Sequence, residues 1–168
     1  MASEEGSLLS TGAEASSPGG IRLAEPRDAA AVRALVQRAY DHYVPRIGLR
    51  PAPMDADYEE LTRQGLVHVA ESTGLAGVLV LRAEPDHLLI ENVAVEPSRQ
   101  GSGIGKALMR FAEQVAHRLH VGEVRLYTHE RMVENIAFYE SLGYEVTERR
   151  PEKGFKRVFM RKRLAPSA

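Results

Sequence analysis

Six residues, Gln100-Gly101-Ser102-Gly103-Ile104-Gly105, join a run that reads as a strand to one that reads as a helix, and this junction limits what the chain can fold into. The run before it, Leu88 to Val95, is Leu-Leu-Ile-Glu-Asn-Val-Ala-Val. After it, Ile104, Leu108, Phe111, Val115 and Leu119 recur at steps of four and three, one apolar stripe on a helix of period about 3.6. Glycines between a strand end and a helix start let the backbone come close to a ligand. The first turn of the helix also leaves N–H groups without intrahelical partners, with the positive end of the helix dipole behind them. Such a junction binds phosphate.

The spacing narrows the choice of phosphate ligand. A P-loop ending on Gly105-Lys106 requires glycine at position 100, which is Gln100, and a hydroxyl residue at position 107, which is Ala107. A G-x-G-x-x-G dinucleotide fingerprint ends on Lys106 or Leu108 instead of glycine. What fits is Gln/Arg-x-x-Gly-x-Gly/Ala, and here the chain resembles the GNAT superfamily of acetyl-CoA-dependent N-acetyltransferases. A second segment resembles the same family: Val124 to Thr128 reads as a short strand, followed by Asn135-Ile136-Ala137-Phe138-Tyr139-Glu140-Ser141-Leu142-Gly143-Tyr144, a short helix stopped by Gly143. The resemblance spans residues 21 to 164.

It implies that Gln100, Gly101, Ser102, Gly103, Ile104, Gly105 and Lys106 hold the pyrophosphate of coenzyme A. Val93, Ala94 and Val95 would meet its pantetheine and acetyl groups through the backbone, with Asn135 and Phe138 on the pantetheine side. Tyr139 would place its hydroxyl near the thioester sulfur.

Composition is consistent with one soluble domain. The chain has 168 residues, of which 43% are hydrophobic, enough for a sizeable core. With 22 basic and 23 acidic side chains, no broad field favours nucleic acid or membrane. The absence of cysteine removes disulfides, thiolate metal sites and an acetyl-cysteine intermediate. Glu4 and Glu5 stand where a signal peptide needs positive charge, and no apolar run approaches a membrane span, so the expected location is cytoplasmic. His117 and His120 lie three apart without a Glu or Cys to complete a set, and no metal is expected.

Residues 1–20, rich in Ser, Gly, Glu and Ala, read as a disordered tail, 21–164 as the catalytic domain and 165–168 as a short closing tail. Strands are expected at Ile21–Ala24, Leu66–Glu71, Gly77–Leu81, Leu88–Val95, Val124–Thr128, Tyr144–Arg149 and Lys156–Lys162. A helix from Pro26 to Tyr43 and one from Asp57 to Gln64 frame a loop over Arg46–Asp55, which carries Pro51 and Pro53. The order is β-α-α-β-β-β-α-β-α-β-β. This is an α/β (α+β) fold with a mixed sheet of about seven strands flanked by about four helices, as the resemblance also implies.

N-acetyl transfer needs an unprotonated amine and a leaving thiolate. An alkyl amine has a pKa of about 10.4, so a base must take its proton and an acid must supply one to the sulfur. Tyr139 is the expected acid, although a core aromatic on a short helix reads the same way. Glu91, a charge inside an apolar strand, is the expected base, and a structural ion pair with a nearby arginine accounts for it equally well. His129 follows the fifth strand, where it would relay protons near the acceptor or stand as an exposed loop histidine.

For the acceptor, the resemblance points to the first two helices, their connection and the last two strands. Tyr40, Tyr43, Arg46, Arg50 and Met54 in the proline-stiffened connection would form a partly cationic pocket for an amine bearing an anionic group, with Arg46 or Arg50 as the clamp. A solvated surface loop reads the same way. Arg149, Arg150, Lys153, Lys156 and Arg157 add positive charge near the final hairpin. The leading expectation is transfer to a primary amine of a small molecule through a ternary complex, with acetyl-CoA the only cosubstrate. A protein lysine or N-terminal acceptor and a non-catalytic acetyl-CoA-binding module are the alternatives, and the resemblance leaves a homodimer open.

Overall fold

A computed structural model describes residues 20–166. Residues 1–19 of the expected N-terminal tail, and 167–168 of the closing one, lie outside the described residues. Seven strands are present: β1 (Ile21–Leu23), β2 (Val67–Ser72), β3 (Gly74–Ala83), β4 (Leu88–Val95), β5 (Glu123–His129), β6 (Glu145–Glu152) and β7 (Phe155–Arg163). They form one sheet in the order β1-β2-β3-β4-β5-β7-β6. The described residues also form five helices: α1 (Ala29–Tyr40), α2 (Tyr43–Ile47), α3 (Tyr58–Arg63), α4 (Ile104–Arg118) and α5 (Val133–Ser141). This is the mixed α/β architecture expected from the sequence.

The extra helix is α2. The expected Pro26–Tyr43 helix is instead a 3-10 turn at Pro26–Asp28 followed by α1, which gives way at Asp41 to α2. Pro45 fits the first turn of α2, where its missing N–H has no intrahelical partner to lose. Gly48, at φ +81°, then ends that helix in the left-handed conformation. The expected loop therefore begins only after Ile47, and it holds a further 3-10 turn at Ala52–Asp55.

By its internal contacts the chain divides into two compact units. One comprises the residues up to Leu81 together with Asn92–Phe111, the other Arg82–Glu91 together with the residues from Ala112 on. In the first, β1, β2 and β3 pair antiparallel, with a bulge at Ala70/Glu71 and a tight turn closed by Ser72 opposite Gly74. Val32, Leu35 and Val36 of α1 are buried at helical spacing, as are Val67 and Val69 of β2 at strand spacing. Each such side chain contributes about 1.5–3 kcal/mol by leaving water. Asp57 caps α3 by accepting the Glu60 N–H at 3.1 Å, and α3 packs on α1.

Gly77 of β3 owes its place to packing. A Cβ there would stand 2.8 Å from Leu108 Cδ1 and 3.0 Å from Ile104 Cγ2, so the missing side chain lets the first turns of α4 lie directly on the strand.

In the second unit, Leu88–Ile90 of β4 pair parallel with Val124–Leu126 of β5. β5 pairs antiparallel with β7, and β7 with β6, which has a bulge between Val146 and Glu148. Lys153 (φ +51°) and Gly154 (φ +81°) join β6 to β7, both residues having the left-handed backbone that a two-residue hairpin turn requires. Helix α5 ends in a Schellman motif. The Tyr144 N–H donates to the Tyr139 carbonyl at 3.1 Å and the Gly143 N–H to the Glu140 carbonyl at 3.1 Å, with Gly143 at φ +98°. The apolar contact that accompanies such a motif is the Tyr139–Tyr144 ring pair, whose centroids lie 6.1 Å apart.

Candidate functional site

The glycine junction lies in the first unit and has the geometry the sequence leads one to expect. After β4, Pro97–Arg99 makes a 3-10 turn, Gln100 is extended, and Gly101 (φ +84°) and Gly103 (φ +92°) adopt the left-handed backbone before α4 begins at Ile104. Nothing lies within 4 Å of a Cβ added to either glycine, so both are needed for backbone conformation and leave open space beside the loop. The first bond of the α4 ladder runs from the Ala107 N–H to the Gly103 carbonyl at 3.0 Å. The N–H groups of Ile104, Gly105 and Lys106 therefore have no ladder acceptor. Three donors at the positive end of a 15-residue helix, beside open space, suit a pyrophosphate. Lys106 is exposed on the same turn.

One ion pair and several hydrogen bonds anchor this loop. Arg38 of α1 grips Glu96 with both ends of its fork, Nε to Oε1 at 3.0 Å and Nη2 to Oε2 at 2.6 Å, and the Arg38 hydrogen bond holds the Glu96 carboxyl below its usual range. The Glu96 N–H donates to the Ala76 carbonyl at 2.9 Å, tying the end of β4 to β3. Gln100 donates its side-chain amide to the Val95 carbonyl at 3.4 Å, and Arg99 bonds Thr73.

Burial along β4 alternates without interruption, so Val93 and Val95 share the half-buried side and Asn92 and Ala94 the buried one. Asn92 is a polar residue that sequence reasoning passed over. Only 6% exposed, its amide oxygen accepts the Tyr40 hydroxyl at 2.7 Å while its NH2 donates to the Tyr58 hydroxyl at 3.2 Å. Tyr58 in turn donates to the Pro53 carbonyl at 2.5 Å, and Gln37 donates to the Met54 carbonyl at 2.6 Å. Tyr40, Tyr43 and Met54 are all buried. Arg50 donates to Asp55 at 3.0 Å and to Gln37 at 3.3 Å, while the exposed Arg46 lies 5.1 Å above the Tyr43 ring.

The remaining expected residues belong to the second unit. Arg82 Nε donates to Glu91 Oε1 at 2.5 Å, so this strand carboxylate is held in an ion pair, and the bond raises the Arg82 pKa further. His129 is the last residue of β5 and is buried, where a loop residue reads as exposed from sequence. Its Nδ1 accepts the Arg131 N–H at 3.1 Å, which assigns the proton of the neutral ring to Nε2. Burial pushes its pKa below 6.5, so the ring is neutral at physiological pH. On α5, Tyr139 is buried, Phe138 and Asn135 are half-buried, and Asn135 points its amide at Met132 Sδ, 3.7 Å away.

Two further buried groups, which the sequence shows only as a member of a motif and of a cationic cluster, lie in the same unit. Tyr144 has a buried hydroxyl with no hydrogen-bond partner, and burial drives its pKa well above 10. Arg157 of β7 has its guanidinium carbon 4.2 Å from the Tyr127 ring centroid and its Nε likewise without a hydrogen-bond partner. No group of three or more His, Cys, Asp or Glu residues able to hold a metal occurs among the described residues, and none of their helices is long and apolar enough to cross a membrane.

The sequence model of the acetyltransferase (GNAT) family matches residues 30–144, and the chain belongs to that family. Solved structures agree on the fold. The PaiA N-acetyltransferase of Thermoplasma acidophilum, in complex with coenzyme A, is 17% identical with a TM-score of 0.70, covering 86% of this chain and 98% of its own. The ribosomal-protein-S18-alanine N-acetyltransferase of Escherichia coli is 22% identical with a TM-score of 0.68, covering 88% and 95%. A GCN5-related N-acetyltransferase from Rhodopseudomonas palustris is 21% identical with a TM-score of 0.72, covering 89% and 98%. At these identities the likeness speaks for the fold.

Proposed function

We propose that the protein transfers the acetyl group of acetyl-CoA to a primary amine of a small molecule, by direct attack of the amine. The observation that carries this reading is the junction before α4, with its two left-handed glycines, its open space and three N–H groups outside the helix ladder. In this reading Gln100 to Lys106 hold the pyrophosphate of the coenzyme, and Val93, Ala94 and Val95 hold its pantetheine and acetyl carbonyl through the backbone. Asn135 and Phe138 border the pantetheine. When bound, acetyl-CoA supplies an activated acyl group, so no nucleophile on the protein is required, in keeping with a chain that lacks cysteine.

The protein's own task is then to orient the amine and move two protons. Tyr139 donates to the departing sulfur. Glu91 draws the amine proton through water once its bond to Arg82 opens. His129 in its present tautomer offers a donor at Nε2, which suits holding the acceptor more than deprotonating it. The cytoplasmic location read from the sequence is part of the same proposal.

The experiment is thiol release from acetyl-CoA against amines, amino acids, polyamines, aminoglycosides and short lysine peptides, run beside calorimetric titration of acetyl-CoA. Release with a small amine is expected. Release confined to peptides would move the acceptor to protein, and no acetyl-CoA binding would overturn the proposal. Gly103→Asp, which sets a carboxylate where the phosphates would lie and strains a backbone at φ +92°, is expected to weaken acetyl-CoA binding at least about 100-fold.

A further inference from the structure

The β5 and β7 strands carry a feature that neither the coenzyme site nor the hydrophobic core uses. His129 and Arg157 are register partners, as are Tyr127 and Phe159, so these four side chains share one side of the strand pair. Arg157 is 7% exposed. Its guanidinium lies 4.2 Å from the Tyr127 ring centroid and 5.7 Å from that of Phe155, and Phe155 meets His129 edge-on at 6.4 Å. The carboxylate beside it, Glu152, stands 3.8 Å from Arg157 Nε, too far for a hydrogen bond, and also 3.8 Å from Arg150 Nη1. Arg150 is itself drawn to Glu148 at 3.2 Å.

A permanently charged guanidinium that is desolvated, stacked on an aromatic ring and missing a hydrogen bond at Nε is an expensive arrangement for a folded chain to keep. It becomes favourable when an anion completes the fork. Guanidinium takes a carboxylate in bidentate geometry, and stacking on Tyr127 fixes the plane in which the fork lies. A monoanion suits the site better than a phosphate dianion, because Glu152 and Glu148 already lie beside Arg157 and Arg150 and repel a doubly charged ligand more. The location also fits, since Tyr127 and His129 stand at the carboxyl end of β5, which runs parallel to β4, and α/β sheets bind ligands at that end.

We propose that Arg157 reads a carboxylate on the acceptor, so that the substrate is an amine that also carries a carboxylate, with its stem against the Tyr127 and Phe155 rings. This rests on the acetyltransferase reading above, and it moves the expected clamp from Arg46 and Arg50 to Arg157.

The test separates the two proposals by measuring binding apart from transfer. The full chain and its Arg157→Gln variant are titrated with each common amino acid and with its carboxamide, with coenzyme A present throughout and the midpoint of thermal unfolding as the readout. At least one amino acid is expected to raise the midpoint where its carboxamide does not, and Arg157→Gln is expected to abolish that difference. In thiol-release assays the carboxylate-over-carboxamide ratio of kcat/KM should fall about 100-fold in the variant. Arg157→Lys, which keeps the charge without the fork, should lose at least about 10-fold of the ratio.

Equal response to acid and amide, no response to any member of the panel, or a difference that survives in Arg157→Gln would overturn the assignment. So would an Arg157→Gln chain that cannot fold, because the arginine would then be structural. Carboxylate-selective stabilisation without thiol release would keep the Arg157 site and defeat the acetyltransferase reading.

Discussion

Among the buried polar side chains of the described residues, Asn92 and Arg157 are accommodated in opposite ways. Around Asn92 each buried group meets another: Tyr40 donates to the amide oxygen, the amide NH2 donates to Tyr58, and Tyr58 donates to the Pro53 carbonyl. Around Tyr127, the guanidinium of Arg157 is stacked and desolvated yet lacks a hydrogen bond at Nε. A buried polar group that is fully hydrogen-bonded rigidifies its surroundings, and one that is not destabilises them. The first arrangement therefore belongs to the scaffold, fixing α1, α3 and the 51–55 segment around Asn92. The second, with Glu152 3.8 Å from Nε, is the arrangement that the proposed ligand carboxylate would complete.

The contrast is broken most severely by Asn92→Leu. The substitution removes the acceptor of the Tyr40 hydroxyl at 2.7 Å and the donor to the Tyr58 hydroxyl at 3.2 Å, and urea unfolding is expected to show a loss of about 2–3 kcal/mol with the slope unchanged. A cost below about 0.5 kcal/mol would mean that the network is no scaffold.

A matched pair of smaller changes sharpens the point. Tyr40→Phe removes a hydroxyl that donates to Asn92 at 2.7 Å and should cost about 1–2 kcal/mol. Tyr144→Phe removes a buried hydroxyl with no partner and should leave stability unchanged or raise it by up to about 1 kcal/mol. Equal losses for the two would erase the distinction between paired and unpaired hydroxyls.

The smallest expected effect is a pH dependence from His129. Burial sets its folded pKa below the unfolded 6.5, so the unfolded chain takes up the proton first. Stability is then complete above pH 6.5 and falls as the pH drops from there toward the folded value. His129→Asn should flatten that segment of the stability profile, and a variant whose profile matches the parent's would remove His129 as its source.

What the sequence made legible follows the same physical line. The glycine junction and the Schellman end of α5 are local: Gly101, Gly103 and Gly143 all take positive φ, and the residues around them carry their own turn chemistry. Strand and helix order was readable for the same reason. Asn92, by contrast, meets partners 52 and 34 positions away, and no local pattern in Leu-Leu-Ile-Glu-Asn-Val-Ala-Val announces them. Tyr40 accordingly reads from sequence as acceptor wall, while in the fold its hydroxyl serves Asn92. Glu91 was legible as an anomaly, a charge in an apolar strand, but its partner Arg82 emerges only from the structure. Arg157 sits among Arg149, Arg150, Lys153 and Lys156, all exposed. Composition cannot tell the one buried cation from its solvated neighbours, because stacking on Tyr127 depends on the β5–β7 register. The usable signal was alternation: Phe155, Arg157 and Phe159 lie on one side of β7, an arginine between two aromatic residues.

The central claim is that the buried Arg157 guanidinium marks a place where a ligand supplies the missing partner. Its most direct test is the unfolding free energy of Arg157→Gln, measured in urea without any ligand beside Asn92→Leu. The account predicts that Arg157→Gln changes stability by less than about 1 kcal/mol, or increases it, while Asn92→Leu loses two to three times that amount. A loss at Arg157 as large as the loss at Asn92 would contradict it, since the arginine would then be holding the fold together.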